Sequence, residues 1–253
     1  MFGIGLVTID NRFYDDLGDK WWDPRGPLGT LHDLNPARFG YFERVARSLD
    51  GVRVLEVGCG GGILAESFAR AGSLITGVDL SEPSLRVARR HSRSNNLVID
   101  FAAARGESLP FADSSFDVVV SADFLEHVSD LDQVVGECAR ALKPGGLFLY
   151  DTINRTLRAR VIAVWLLERV LGLIPPNTHD ANMFIKPAEL EAIMARHGIE
   201  NRETRGLEPE SGPVGALLSF IKTGRLGAFK ISGGTSISYV GYGVKIEEDV
   251  GPS

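Results

Sequence analysis

Along this chain, short apolar runs alternate with stretches whose apolar residues recur at helical spacing. Val54-Leu55-Glu56-Val57 is a short run with one embedded acid, and it stops at Gly58-Cys59-Gly60-Gly61-Gly62. Residues 63–71 then take helical spacing, so the pattern predicts strand, glycine turn and helix in succession. Residues 73–79 form a second apolar strand ending in an acid, 82–94 a helix and 97–104 a third strand. The continuous apolar run 116–122, set off by Asp113-Ser114-Ser115, has the mark of a central parallel strand buried on both faces. Residues 130–142 read as a helix stopped by Lys143-Pro144-Gly145-Gly146, and 147–152 as a fifth strand. Upstream, Asn35 as N-cap and Pro36 in the first turn open a helix reaching Leu49. Downstream, a helix over 187–197 precedes strands over 200–206 and 236–245, and the glycine-rich stretch 213–234 between them reads as a mobile loop.

This alternation predicts an α/β fold, a mostly parallel sheet with helices on both faces and a ligand at the carboxyl ends of the first strands. The expected organisation is an N-terminal lid or cap segment over residues 1–34, one domain over 35–245 with an apolar insertion near 155–186, and a flexible acidic tail over 246–253. Trp21-Trp22 in the leader serves either as packing on the core or as part of a lid over a ligand.

Composition narrows the function classes. The 253 residues are 44% hydrophobic and 24% charged, an ordinary soluble balance, and a net charge of -6 does not favour nucleic acid. Neither of the two cysteines belongs to a C-x-x-C pair, so no zinc site or disulfide framework is indicated and a reducing cytoplasm is expected. No signal peptide and no bilayer-spanning run is read.

The glycine loop carries the chemistry. A dinucleotide fingerprint needs glycine or alanine where this chain has Ile63, so that motif fails. What stands here is E-x-G-x-G-G-G. Glu56, two residues before Gly58, would repel a pyrophosphate and suits a cationic ligand carrying an amino group and a sulfonium. Asp79, 21 residues past Gly58, stands where nucleotide folds place a ribose-binding carboxylate, although it could instead cap the next helix, as could Ser81. The loop Arg105-Gly106-Glu107 follows the third strand. After the fourth comes Asp123-Phe124-Leu125-Glu126-His127; in a helical turn its two carboxylates and imidazole share a face. Such a set suits Mg²⁺, Mn²⁺ or Zn²⁺, or is a helix-end acid cluster with a hydrogen-bonded histidine. A divalent ion would lower the pKa of a bound catechol, and without one His127 is placed to act as general base. Within the insertion, Arg155, Arg158, Arg160 and Arg169 against Glu168 give a local charge of +3 beside the apolar runs 161–167 and 170–174. Residues 155–175 therefore read either as an interfacial helix on anionic lipid or as a core or dimer-interface helix.

These residues resemble a specific family, the ubiquinone-biosynthesis O-methyltransferases. The resemblance lies in Trp21-Trp22-Asp23, Leu31-His32-Asp33-Leu34-Asn35-Pro36-Ala37-Arg38, the glycine loop through Ser67, Leu125-Glu126-His127-Val128, Thr178-His179-Asp180 and Phe184-Ile185-Lys186-Pro187-Ala188-Glu189-Leu190. It spans roughly residues 12–200. It implies the class I methyltransferase fold, a Rossmann-like, seven-stranded sheet, and S-adenosyl-L-methionine (SAM) as cofactor. Cofactor contacts are expected from Arg38, Glu56, Gly58, Gly60, Asp79, Leu80, Gly106, Glu107 and Ala122. Catalysis is expected from His127 and Glu126, with a divalent metal such as Mg²⁺ on Asp123, Glu126 and His127. Asp123 departs from the glutamate usual in the family, and Arg105 from a frequent acid. The implied acceptor is a polyprenyl phenol or quinol, with peripheral contact through 155–175 at the inner membrane face. A methyltransferase for a soluble phenolic metabolite, and a non-catalytic SAM-binding, membrane-docking protein, are the alternatives.

Overall fold

In the computed structural model, which describes residues 12–159 and 183–247, eight strands form one sheet in the order β3-β2-β1-β4-β5-β8-β6-β7. These are β1 (Arg53–Val57), β2 (Leu74–Asp79), β3 (Asp100–Ala103), β4 (Phe116–Ala122), β5 (Leu142–Ile153), β6 (Ile199–Pro209), β7 (Phe229–Ser232) and β8 (Ser238–Lys245). The first five pair in parallel, while β8 runs antiparallel to both β5 and β6. The order turns back on itself between β1 and β4, and at such a switch point a crevice opens beyond the carboxyl ends of the strands.

The α-helices among the described residues are α1 (Arg12–Asp16), α2 (Gly29–Ala46), α3 (Ile63–Arg70), α4 (Glu82–Ser94), α5 (Leu131–Ala141), the single turn α6 (Leu157–Ala159), α7 (Pro187–Arg196) and α8 (Gly212–Thr223). Alternation along β4 sends Val118, Val120 and Ala122 into one apolar layer with Phe42, Leu64 and Phe68. Val119 goes into the other, with Val134, Cys138 and Met194. This two-sided burial is why β4 reads as an unbroken apolar run. Ser81 caps α4 by accepting from Ser84 N at 3.2 Å, and Asp130 caps α5 by accepting from Gln133 N at 2.9 Å.

Three sequence expectations need correction. Helix α2 begins at Gly29, and Pro36 lies inside it. Asn35 is therefore not a cap; its amide donates to Ser67 Oγ at 2.9 Å and accepts from Arg38 Nη2 at 3.2 Å. Packing of Leu28, Leu31 and Leu34 compensates for the one helical hydrogen bond that proline removes. Second, the sheet has eight strands where seven were expected. Third, the stretch read as a mobile loop holds α8 and the extra strand β7. Residues 160–182 of the expected insertion lie outside the described residues, as do 1–11 of the leader and 248–253 of the tail.

Candidate active site

Strand β1 carries Glu56 and ends at Val57, and the chain then turns with positive φ at Gly58 (81°), Gly60 (49°) and Gly62 (84°), angles that favour glycine. Gly58 N and Cys59 N both donate to the Val78 carbonyl, at 2.8 and 3.0 Å, tying the loop to β2. Asp79, at the end of β2, accepts from Gly60 N and Ser81 N, each at 2.8 Å. It therefore braces the loop and the entry to α4 together; burial raises its pKa against the lowering effect of those N–H groups.

Arg38, carried by α2, is buried and bonds Asp123 at 2.5 Å and Asp151 at 2.8 Å. Asp123 follows β4 with a left-handed backbone (φ 49°), and its N–H donates to Asp151 at 2.9 Å. This cluster has one cation for two carboxylates, and burial pushes Asp151 up to about 7 despite the guanidinium beside it. Nearby, burial pushes Glu56 up to about 8, and its Oε2 is buried without a hydrogen-bond partner, as is Arg38 Nε. Glu126 accepts from Thr152 Oγ1 at 2.7 Å; burial first and Asp123 second push it up to about 8. His127 lies in a 3₁₀ turn (Leu125–His127), with the Tyr14 ring edge-on to it at a centroid distance of 6.2 Å.

Every residue named from the sequence as a site residue lines one cavity of about 650 Å³: Arg38, Glu56, Gly58, Gly60, Asp79, Leu80, Gly106, Glu107, Ala122, Asp123, Glu126 and His127. The reading missed Tyr14, Phe124, Asp151 and Thr152. Asp151 had a visible signal, because like Asp79 it is an acid near the carboxyl end of a predicted parallel strand. Tyr14 had none. Phe124 lies so close to Gly58 that a Cβ there would overlap its ring. Above the loop, Trp21 stacks with Tyr14 at 6.0 Å and donates to Ser84 Oγ at 3.1 Å, while Trp22 donates to the Gly61 carbonyl at 3.1 Å. The leader thus covers the glycine turn directly.

The expected metal set does not form. Among the described residues, no group of three or more His, Cys, Asp or Glu side chains is arranged to hold a metal ion. The segment makes a 3₁₀ turn where an α-helical spacing was expected, Asp123 is turned onto Arg38, and Glu126 is drawn to Thr152. A guanidinium against Asp123 competes with any cation for that carboxylate. As placed, these residues do not fit a divalent ion.

A switch-point crevice, an acidic residue before the glycine turn and a carboxylate ending β2 define a class I SAM-dependent methyltransferase. A family model described as a methyltransferase domain matches residues 55–150. Among solved structures, a SAM-dependent methyltransferase from Thermotoga maritima superposes with a TM-score of 0.64 at 19% identity, covering 93% of this chain and 99% of that one. One from Methanosarcina mazei gives 0.58 at 21%, covering 79% and 94%. The ubiquinone biosynthesis O-methyltransferase of Bordetella bronchiseptica is 41% identical over 81% of this chain and 86% of its own length. That of Ralstonia nicotianae is 43% identical over 77% and 82%. The chain belongs to the family of ubiquinone biosynthesis O-methyltransferases, and it is a SAM-dependent O-methyltransferase.

Proposed function

We propose that this chain methylates a ring hydroxyl of a polyprenylated catechol or quinol on the route to ubiquinone. The observation that carries the reading is the composition of the cavity: buried carboxylates at the β1, β2 and β4 ends for a cationic cofactor, and an apolar side built from the β6–β8 half of the sheet. In this reading Glu56, with its unpartnered Oε2, takes the cofactor's amino group. Arg38 Nε faces its carboxylate, and Asp79 with Leu80 receives the ribose. The backbone at Gly58 and Gly60 allows close approach, while Gly106, Glu107 and Ala122 border the adenine.

Methyl transfer is an in-line displacement. The acceptor oxygen forms its bond to the methyl carbon as the carbon–sulfur bond breaks, and the cofactor leaves as a neutral thioether. The acceptor's proton passes to His127, whose imidazole lines the same cavity. Thr152 holds Glu126 in place. No step is routed through a metal. Lipid contact is assigned to residues 155–175, most of which lie outside the described residues; no helix among those described is long and apolar enough to cross a membrane.

The test is transfer of labelled methyl from SAM to a short-chain demethylubiquinol analogue, run with and without EDTA. Transfer is expected in both, and His127→Ala is expected to abolish turnover while SAM still binds. Absence of transfer with SAM bound would reject the acceptor class. Loss in EDTA reversed by a divalent ion would reject proton transfer to a side chain alone.

A further inference from the structure

Asp33 belongs to none of the roles above, yet its environment is unusual for a carboxylate on a helix surface. It lies in α2 with 6% exposure, and four donors converge on it from the segment joining α8 to β7. Arg225 approaches with two of its nitrogens, Nε at 2.7 Å, while Leu226 N and Gly227 N donate at 2.9 and 3.2 Å. A buried carboxylate satisfied by one guanidinium and two backbone N–H groups is a strong, directional tether. It fixes a segment that contacts the rest of the fold mainly through β6 and α2.

What the tether holds is one wall of the cavity. The inner side of α8 presents Ala216 and Leu217, the tethered loop presents Leu226, and β6 and β7 present Leu207 and Phe229. From residue 200 onward, every described residue lining the cavity is apolar except Ser238. The cavity thus has a charged side, at β1, β2 and β4, and a side without a charge, and the two are continuous. A ligand matching both carries a polar reacting ring and a hydrocarbon extension.

We infer that the α8–β7 roof, pinned to α2 by Asp33, is the subsite for the isoprenoid tail of the acceptor, with Leu217 limiting its width and Asp33 acting as a positioning residue. This rests on the proposed function. It adds where the tail lies and which residues decide that a tailed acceptor is preferred.

The experiment compares Leu217→Trp and Asp33→Ala with the unaltered enzyme on two acceptors, a dihydroxybenzoate without a tail and the same ring bearing a geranyl group. Both kcat and KM are measured, together with binding of each acceptor to enzyme saturated with S-adenosylhomocysteine. Leu217→Trp is expected to raise KM and weaken binding of the geranyl compound by about tenfold or more, leaving the tailless compound unchanged. Asp33→Ala should raise KM for the geranyl compound with kcat and SAM affinity retained. Asp33→Asn, which keeps an oxygen for Leu226 N and Gly227 N, should recover part of the loss. If neither compound is methylated but binding shows the geranyl preference and its loss in Leu217→Trp, the function is rejected and the subsite stands. If Leu217→Trp affects both compounds alike, or the geranyl group gives no advantage, the subsite is overturned whatever the turnover.

Discussion

Replacing Glu56 with glutamine tests the cofactor site through its protons. Burial raises this carboxyl from 4.5 to about 8, so the folded chain binds its proton more tightly than the unfolded chain does. The sign follows: the stability this group contributes is full below the unfolded value and is lost as pH rises through the folded one. At about 1.4 kcal/mol per pKa unit, the wild type should lose about 3 kcal/mol from this source between pH 5.5 and pH 8.5. Glu56→Gln has no such dependence. In urea unfolding of the cofactor-free protein, its stability relative to wild type should therefore rise by about that amount across the same range. The carboxyl is about nine-tenths protonated at pH 7. An ammonium seated on Oε2 would make it ionise, so SAM binding should release close to one proton. Calorimetry in buffers of different ionisation enthalpy measures that release. Glu56→Gln should lose the release and bind SAM about tenfold or more weakly, because a charge-assisted contact is gone. If wild type and variant release the same number of protons and lose stability in parallel with pH, Glu56 does not face the cofactor's amino group.

Two further substitutions probe the same cavity. Asp79→Ala removes the acceptor for Gly60 N and Ser81 N, and SAM affinity by calorimetry should fall more than about tenfold; unchanged affinity would remove the ribose assignment. In Gly61→Ala the added methyl would meet the Trp21 ring at 2.5 Å. The leader should lift from the loop and trypsin cleavage at the exposed Lys20 and Arg25 should accelerate, whereas an unchanged digestion rate would mean that Trp21 does not seal the glycine turn.

The chain's order of elements carried most of the fold. The parallel half was readable because β1, β2 and β4 are buried strands whose apolar runs end at glycine or acid, and those ends are where the site lies. The antiparallel half was obscured. Stretch 213–234 looks like a loop by composition, and what orders it is a carboxylate nearly two hundred positions earlier in the sequence, at Asp33. Pro36 misplaced the start of α2 because local capping rules carry no information about the leucines that make a longer helix pack. For the site, spacing named the right side chains but not their partners. That Asp123 would turn to Arg38 depends on one left-handed backbone angle and on Asp151, beside it on the neighbouring strand β5. The resemblance to a family added the acceptor, which no periodicity could supply.

The position of β8 has a consequence for how the molecule is made. Among the described residues it follows every other strand in chain order, yet it lies between β5 and β6. A nascent chain that has completed β1 to β5 still exposes the β5 edge, and a β6–β7 hairpin made next has nothing to join. Only when β8 slots in, pairing Asp151 with Val240 on one side and Glu203 with Tyr242 on the other, do the two halves become one sheet. Asp151 is the anchor of Arg38, so the catalytic cleft is finished by the same late event. Docking of β8 (Ser238–Lys245) is the step at which a half-built sheet with an open, aggregation-prone edge becomes continuous.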